Sequence, residues 1–439
     1  MELWDLYDRQ GNRTGETWER KFGNYKLIPE GRYHMVVDIL VQHTDGTFLL
    51  TKRDMSKDVY PGYWEASAGG AAVAGEDPET AAKRELEEET GLTALSFKLV
   101  SHTFREPSHS MFYSYLALVD GDKDSVRLQE GETVEYKWVD RTGLLEYVRS
   151  DFSIKTHNDR YKSLFDAYNT LYVTDLDGTL MRNDKSISDN SLSIINGLIA
   201  RGAAITVATA RSVTSVVDIV KPIDISIPLV VRNGTALAAP HTLEIMEKAV
   251  FTDEEVSRLK AMLKELPFCG FTSIWRGNEM EKVFFNGPHS AGIEKYLAEH
   301  EGEKGLRFVD DVEELFKGDV GYITMIDDKE NLDPVYERVG KDSQWESVFQ
   351  QDSYDSEYWL ELCPENSTKA KAIERLKERL GLEKIVAFGD SVNDIPMFKI
   401  ADEAYAVENA LPELKEYATA VIASNEEDGV AEFLKSKFV

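Results

Sequence analysis

Residues 76–92 constrain this chain more than any other stretch. Glu76 is followed by Arg84-Glu85-Leu86-Glu87-Glu88-Glu89-Thr90-Gly91-Leu92, which crowds carboxylates into one short segment. Asp77 suits a helix N-cap, Pro78 the first helical position and Gly91 a C-terminal exit, so a helix is expected between them. Glu85, Glu88 and Glu89 then stand at i, i+3 and i+4 and share a face, while Ala82 and Leu86 point to another side that can pack on a core. Like charges at that spacing oppose a helix by about 0.2–0.5 kcal/mol per pair unless a cation sits among them. Oxygen-rich clusters of this kind suit Mg2+ or Mn2+, hard cations that also take phosphate oxygens. The plainer reading is a solvated acidic face, as most glutamate runs are.

The spacing argues against that plainer reading. From Gly70 the chain meets G-x5-E-x7-R-E-U-x-E-E-x-G-U, with U aliphatic, at every specified position. This stretch resembles the signature of the Nudix hydrolases. Strand-like runs at 34–41, 48–53, 111–119 and 135–139 surround it, and Pro61-Gly62-Tyr63-Trp64 leads into it, so the resemblance extends over about residues 1–150. It implies hydrolysis of a nucleoside or other organic diphosphate. Glu85, Glu88 and Glu89 would then be metal ligands, with Glu85 also a candidate base. Glu76 would support the loop and helix or reach metal through water, Arg84 would orient the glutamates by charge-assisted hydrogen bonds, and Glu132 would be a further carboxylate or simply a surface acid. The segment before the box is similar to the branch that includes isopentenyl diphosphate isomerase. That isomerase uses a cysteine in this region, whereas the two cysteines here, Cys269 and Cys363, lie far downstream. His34 at a strand start reads as structural.

A second signal starts at Leu171-Tyr172-Val173-Thr174-Asp175-Leu176-Asp177-Gly178-Thr179. An apolar run ending in aspartate reads as a buried parallel strand delivering a carboxylate at its C-terminal end, where open α/β sheets place ligands. Val207-Ala208-Thr209-Ala210-Arg211, Thr368-Lys369-Ala370 and Ile385–Asp394 follow in order. Together these four pieces resemble the haloacid dehalogenase-like (HAD) phosphatases over about residues 170–439. The resemblance implies Asp175 as nucleophile, Asp177 as general acid and base, and Thr209 and Lys369 as holders of the phosphoryl oxygens. It also implies Mg2+ held by Asp175, Asp177 (through its carbonyl) and Asp390. Asp394 would ligate through water or orient Lys369, Asn393 would support, and Arg211 and Asn233 are candidate substrate contacts.

About 160 residues separate Thr209 from Lys369, far more than a loop needs, so an inserted domain is expected. A mixed cap at this position is similar to the Cof-type subfamily. Trp275, Phe284, Phe285, Trp345 and Trp359 read as cap core. The expected architecture is an α/β multidomain chain: a Nudix α/β/α sandwich with a linker helix (1–168), then a HAD Rossmann-like parallel-sheet core (169–237 and 361–439) with an inserted α+β cap (238–360). The linker helix is expected over 158–169, carrying Tyr161, Leu164, Phe165 and Tyr168 at helical spacing.

A net charge of −29 argues against a nucleic-acid or anionic-membrane surface, leaving small phosphorylated molecules as the expected partners. The N-terminus lacks the form of a signal peptide, no apolar run approaches a membrane span, and two cysteines suit a reducing compartment, so a cytoplasmic location is expected. Two functional readings stay open. One is a bifunctional Mg2+-dependent hydrolase that cuts a diphosphate and then a phosphomonoester through an aspartyl-phosphate. The other is a phosphatase controlled by a nucleotide-binding, non-catalytic Nudix module.

Overall fold

The computed structural model describes residues 2–438 apart from 22, 58, 267–269, 303 and 352–356. Of the two cysteines far downstream of the box, Cys269 lies outside the described residues and Cys363 is buried and free. Two compact units emerge: Met1–Thr170 with Ser193–Ala204 and Ala431–Val439, and Leu171–Leu192 with Ile205–Val430. No helix among the described residues is long and apolar enough to cross a membrane.

The first unit is built on the strand Tyr33–His43. It runs parallel to Ser110–Val119 and antiparallel to Leu3–Tyr7, Phe48–Arg53 and Ala68–Ala71. Strands Trp64–Ala66 and Thr133–Val139 both pair antiparallel with Phe48–Arg53. The helix expected from the box forms over Pro78–Thr90. Asp77 Oδ1 accepts from the amides of Glu79 and Thr80 at 3.1 and 3.0 Å, and Gly91 takes the left-handed exit at φ 70°. Ala81, Ala82 and Leu86 enter the core with Val37, Ile39 and Met111, as the apolar side of the pattern requires.

The single helix expected over 158–169 is instead two, Lys155–Arg160 and Lys162–Tyr168, hinged at Tyr161. Two buried anchors explain the break. Arg160 bonds Asp38 at 2.5 Å, and the Tyr161 hydroxyl donates to the Tyr115 carbonyl at 3.1 Å. One straight helix cannot aim both side chains at the sheet. Tyr161, Leu164, Phe165 and Tyr168 are all buried, so this segment packs as its spacing suggested. His34 is likewise structural: buried, stacked on Trp4 and bonded to the His109 carbonyl.

The second unit contains a five-stranded sheet in the order Ala204–Val207, Thr170–Thr174, Lys384–Gly389, Glu403–Val407, Ala420–Ile422. The last three strands run parallel. Strands Ala204–Val207 and Thr170–Thr174 are wholly buried and Lys384–Gly389 is buried beyond Lys384, as in the centre of a sheet covered on both faces, whereas Ala420–Ile422 lies at the exposed edge. Between the second and third motifs stands a six-stranded sheet that runs from Gly270–Arg276 to Tyr358–Pro364. Three α-helices of the insertion, Asp253–Leu263, Ala291–Glu299 and Lys329–Val335, accompany it. Trp275, Phe284 and Trp345 are buried, as a cap-core role requires. Trp359 packs against the cluster of Phe271, Phe284 and Tyr296 and also lines a cavity.

Candidate active sites

The four downstream motifs meet where three neighbouring strands end. Asp175 follows Thr174, Thr209 lies two residues past Val207, and Asp390 follows Gly389, so the parallel sheet delivers all three to one edge. Lys369, the first residue of the helix Lys369–Arg379, points its ammonium between two acids, at 2.7 Å from both Asp175 and Asp394. Asp394 spends its other oxygen on the amides of Asp390 and Ser391, at 3.0 and 3.2 Å. It is therefore a bracket that fixes Lys369 and the Asp390 turn together.

Asp175, Asp390 and Asp394 are, among the described residues, the one group of three potential ligands with donor atoms all within 4.8 Å of one another. Burial pushes the Asp175 carboxyl up to about 7, with Lys369 opposing and Asp394 adding to the rise. Burial also lifts Asp390 to about 6, against a hydrogen bond from Thr179 at 3.0 Å. Lys369 pays the burial penalty too, yet its ammonium is held protonated by Asp175 and Asp394. Gly178, at φ 78°, carries no side chain because a Cβ there would collide with the Asp390 carboxylate. Among the remaining predicted residues, Asp177 receives a bidentate pair from Arg211 at 2.7 and 2.6 Å. The Thr209 hydroxyl accepts from the Arg211 amide at 3.1 Å. The Asn393 side chain accepts from the Ser391 hydroxyl, at the outer rim of the turn.

A cavity of about 210 Å3 adjoins these groups, and Asn233 and Trp359 line it. Asn233 belongs to the turn that follows the strand Leu229–Val231, as the run from Pro228 to Gly234 suggests. Arg232, Asn233 and Gly234 all have positive φ (51°, 54° and 96°), a strained run for two residues with side chains. Amides of Arg232 and Asn233 donate to the carbonyls of Arg211 and Thr209 at 3.0 Å each, which fixes the turn against the second motif. The same cavity holds Glu361, whose carboxyl is raised by burial, and Lys282.

In the first unit, a cavity of about 390 Å3 collects Glu85, Glu88, Glu89 and Glu132, together with Arg53, Lys57 and Arg84. Glu85 and Glu89 are buried, and a Cβ at Gly70 would strike the Glu85 carboxylate, so the loop before the helix forms a close cradle. Arg84 acts as a hub. It bonds Glu76 at 2.8 and 3.0 Å, Glu85 at 2.8 Å and Glu88 at 3.0 Å. Glu76 also accepts from the Val73 amide at 2.8 Å, locking the loop to the helix. The helix-face spacing alone implied three converging carboxylates. Instead Glu88 turns its half-exposed side chain to Arg84, and the three do not reach the mutual 4.8 Å spacing of the aspartates. Glu132 does reach this cavity, where it pairs with Lys57.

Glu65 is the acid that sequence reasoning missed. It is buried, bonded to Arg53 at 2.7 Å, and raises the neighbouring Glu89. Burial first, then Glu65 and Glu85, push Glu89 from 4.5 up to about 8. Because the folded protein holds that proton more tightly than the unfolded chain, stability without metal should be lost as pH rises from about 4.5 to about 8. In thermal melts with EDTA, the wild-type melting temperature should fall across this window by about 2–4 °C for each kcal/mol of lost proton linkage. Glu89→Gln should flatten the fall, and Mg2+ should raise melting more at pH 8 than at pH 5. A slope unchanged by Glu89→Gln would contradict this assignment.

Residues 172–434 match the family profile described as haloacid dehalogenase-like hydrolase. The chain belongs to that family. Residues 32–159 match the NUDIX domain profile, so one chain carries a Nudix domain and a HAD-like hydrolase domain, and it is a hydrolase. Two Bacillus subtilis proteins named 5-amino-6-(5-phospho-D-ribitylamino)uracil phosphatase are similar to it. YitU is 27% identical over 286 residues, covering 61% of this chain and 97% of its own. YwtE is 25% identical over 277 residues, covering 59% and 95%. An uncharacterized Nudix hydrolase of Listeria monocytogenes is 39% identical over 92 residues, 21% of this chain and 52% of its own, so the match spans about half of that relative.

Proposed function

We propose that this hydrolase has two working centres, one cleaving an organic diphosphate and one a phosphomonoester. The observation that carries the reading is the Asp175–Lys369–Asp394 bracket beside Asp390, standing in the same chain as a buried Glu85–Glu89 pair in a separate cavity. Both donor sets are carboxylate oxygens in excess of the cations paired with them, Lys369 in one and Arg84 in the other, which fits a hard divalent cation such as Mg2+. Asp175 and Asp390 would hold one ion with the Asp177 carbonyl, and Glu85 and Glu89, with Glu88, another. When bound, such ions neutralise substrate phosphate oxygens and increase the acidity of water.

At the phosphatase centre, Asp175 is the nucleophile. Its oxygen bonds to phosphorus as the bond to the leaving oxygen breaks, giving an aspartyl-phosphate that water then hydrolyses. The attack requires a carboxylate, and Lys369 at 2.7 Å opposes the protonation that burial favours. Asp177 donates the proton to the leaving oxygen and takes one from water in the second step. Arg211 positions Asp177 and must loosen its bidentate hold for that proton to be carried. Thr209 and Lys369 supply donors to the equatorial oxygens. At the diphosphate centre, Arg84 sets the positions of Glu85 and Glu88, and one of the box glutamates would accept a proton from water.

The cavity beside Asn233 bears on the leaving group. Trp359, Tyr296 and Phe271 give it flat apolar walls, and Glu361 offers an acceptor for N–H or O–H groups. A ribityl phosphate carrying a nitrogen heterocycle matches this lining, as the names of the Bacillus relatives suggest for those proteins. A dinucleotide such as FAD would then feed both centres, giving FMN and then riboflavin. Glu361→Gln should lower kcat/KM for FMN about tenfold while leaving p-nitrophenyl phosphate, which has no N–H donor, within about twofold. Equal losses on both substrates would remove Glu361 from substrate recognition.

A further inference from the structure

A larger cavity, about 550 Å3, lies in the first unit away from the box glutamates. Strand alternation puts it on the reverse face of the sheet. Along Phe48–Arg53, Arg53 lines the glutamate cavity, whereas the preceding Lys52 lines this one. Along Trp64–Ala66, Glu65 turns to Arg53, while Trp64 faces the second cavity. Its size falls inside the range of about 300–1,000 Å3 typical of small-molecule sites.

The lining pairs charge with flat apolar surface. Lys137 Nζ stands 4.4 Å from the centre of the Trp64 ring, and Lys52 Nζ stands 5.8 Å from it. Lys52 is partly neutralised by Glu135 at 3.1 Å. Lys137 forms no ion pair among the described residues, so its ammonium is held at the cavity by an aromatic face alone. Val139 and the exposed ring of Phe152 supply the apolar wall, and Glu146 stands at the same cavity. The lining sets Lys52 and Lys137 against Glu146 alone, and with Lys52 turned to Glu135 it is the Lys137 ammonium, without an ion pair among the described residues, that can meet an anion.

We propose that this cavity binds a small organic anion with a planar ring, of the mononucleotide class, at a site separate from both hydrolytic centres. The anionic group is met by Lys137, and the ring packs among Trp64, Val139 and Phe152. Neither lysine touches the catalytic groups, so occupancy does not depend on either ion.

The test uses the full chain carrying Glu89→Gln and Asp175→Asn, in EDTA, titrated calorimetrically with AMP, adenosine and inorganic phosphate. AMP should bind, and adenosine or phosphate should each bind at least tenfold more weakly. Adding Lys137→Glu, an exposed position whose exchange does not disturb the core, should weaken AMP at least tenfold. Photolabelling with 8-azido-AMP should mark peptides containing Trp64 or Phe152. The proposal is overturned if AMP fails to bind, if Lys137→Glu leaves its affinity within twofold, or if the label falls only on other peptides. Phosphate binding as tightly as AMP would also overturn it, because the ring would then contribute nothing.

Discussion

Replacing Asp175 by Asn should cut phosphomonoester hydrolysis by about a thousandfold or more and leave diphosphate cleavage within about twofold. The asparagine keeps size and shape but removes the nucleophilic charge. It also removes one of the two carboxylates that hold Lys369 at 2.7 Å, so the ammonium shifts toward Asp394. The loss should appear in kcat for p-nitrophenyl phosphate, since the missing bond to phosphorus forms only on the reaction path. Raised thermal stability in EDTA should accompany it, because a buried carboxylate pushed up to about 7 has been replaced by a neutral group. Unchanged kcat would mean that another oxygen attacks phosphorus.

The second large effect belongs to the box. Glu89→Gln should lower diphosphate hydrolysis by about 10^2–10^4-fold while p-nitrophenyl phosphate turnover stays within about twofold. Glu89 is buried beside Glu65 and Glu85 and accepts from the Gly69 amide at 3.1 Å, so glutamine fits the space without the charge. Glu88→Gln should cost less than Glu89→Gln, since Glu88 is half-exposed and turned to Arg84. Steady-state release of monophosphate products from FAD or NAD measures both. A full-activity Glu89→Gln protein, or wild type that binds these dinucleotides without cleaving them, would favour the regulatory reading of the Nudix domain.

Contiguous stretches told most of this in advance. The box helix runs from Pro78 to Thr90 because its cap, first-turn proline and exit glycine are neighbours in sequence. Asp175, Thr209 and Asp390 converge because each ends an apolar run that a parallel sheet aligns. What escaped depends on distance along the chain. Glu65 precedes Glu89 by 24 positions and belongs to no acidic run, so nothing local marks it as a neighbour. Arg232 has a left-handed backbone only because Arg211 and Thr209 hold its turn from another strand. Trp359 does pack on the cap core, as an aromatic residue in a strand usually does, but nothing local shows that it also borders a cavity shared with Glu361. Helix spacing placed Glu85, Glu88 and Glu89 on one face, and the family resemblance gave Arg84 the task of orienting them, but only the fold shows that Arg84 draws Glu88 aside.

The division of labour between two centres is tested most directly by 31P NMR of Glu89→Gln and Asp175→Asn proteins, apart and mixed, on one diphosphate substrate with Mg2+. Glu89→Gln alone should leave the diphosphate signal intact, Asp175→Asn alone should accumulate monophosphate without inorganic phosphate, and the mixture should carry the reaction to inorganic phosphate. Inorganic phosphate from Asp175→Asn alone, or diphosphate consumed by Glu89→Gln at the wild-type rate, would contradict it.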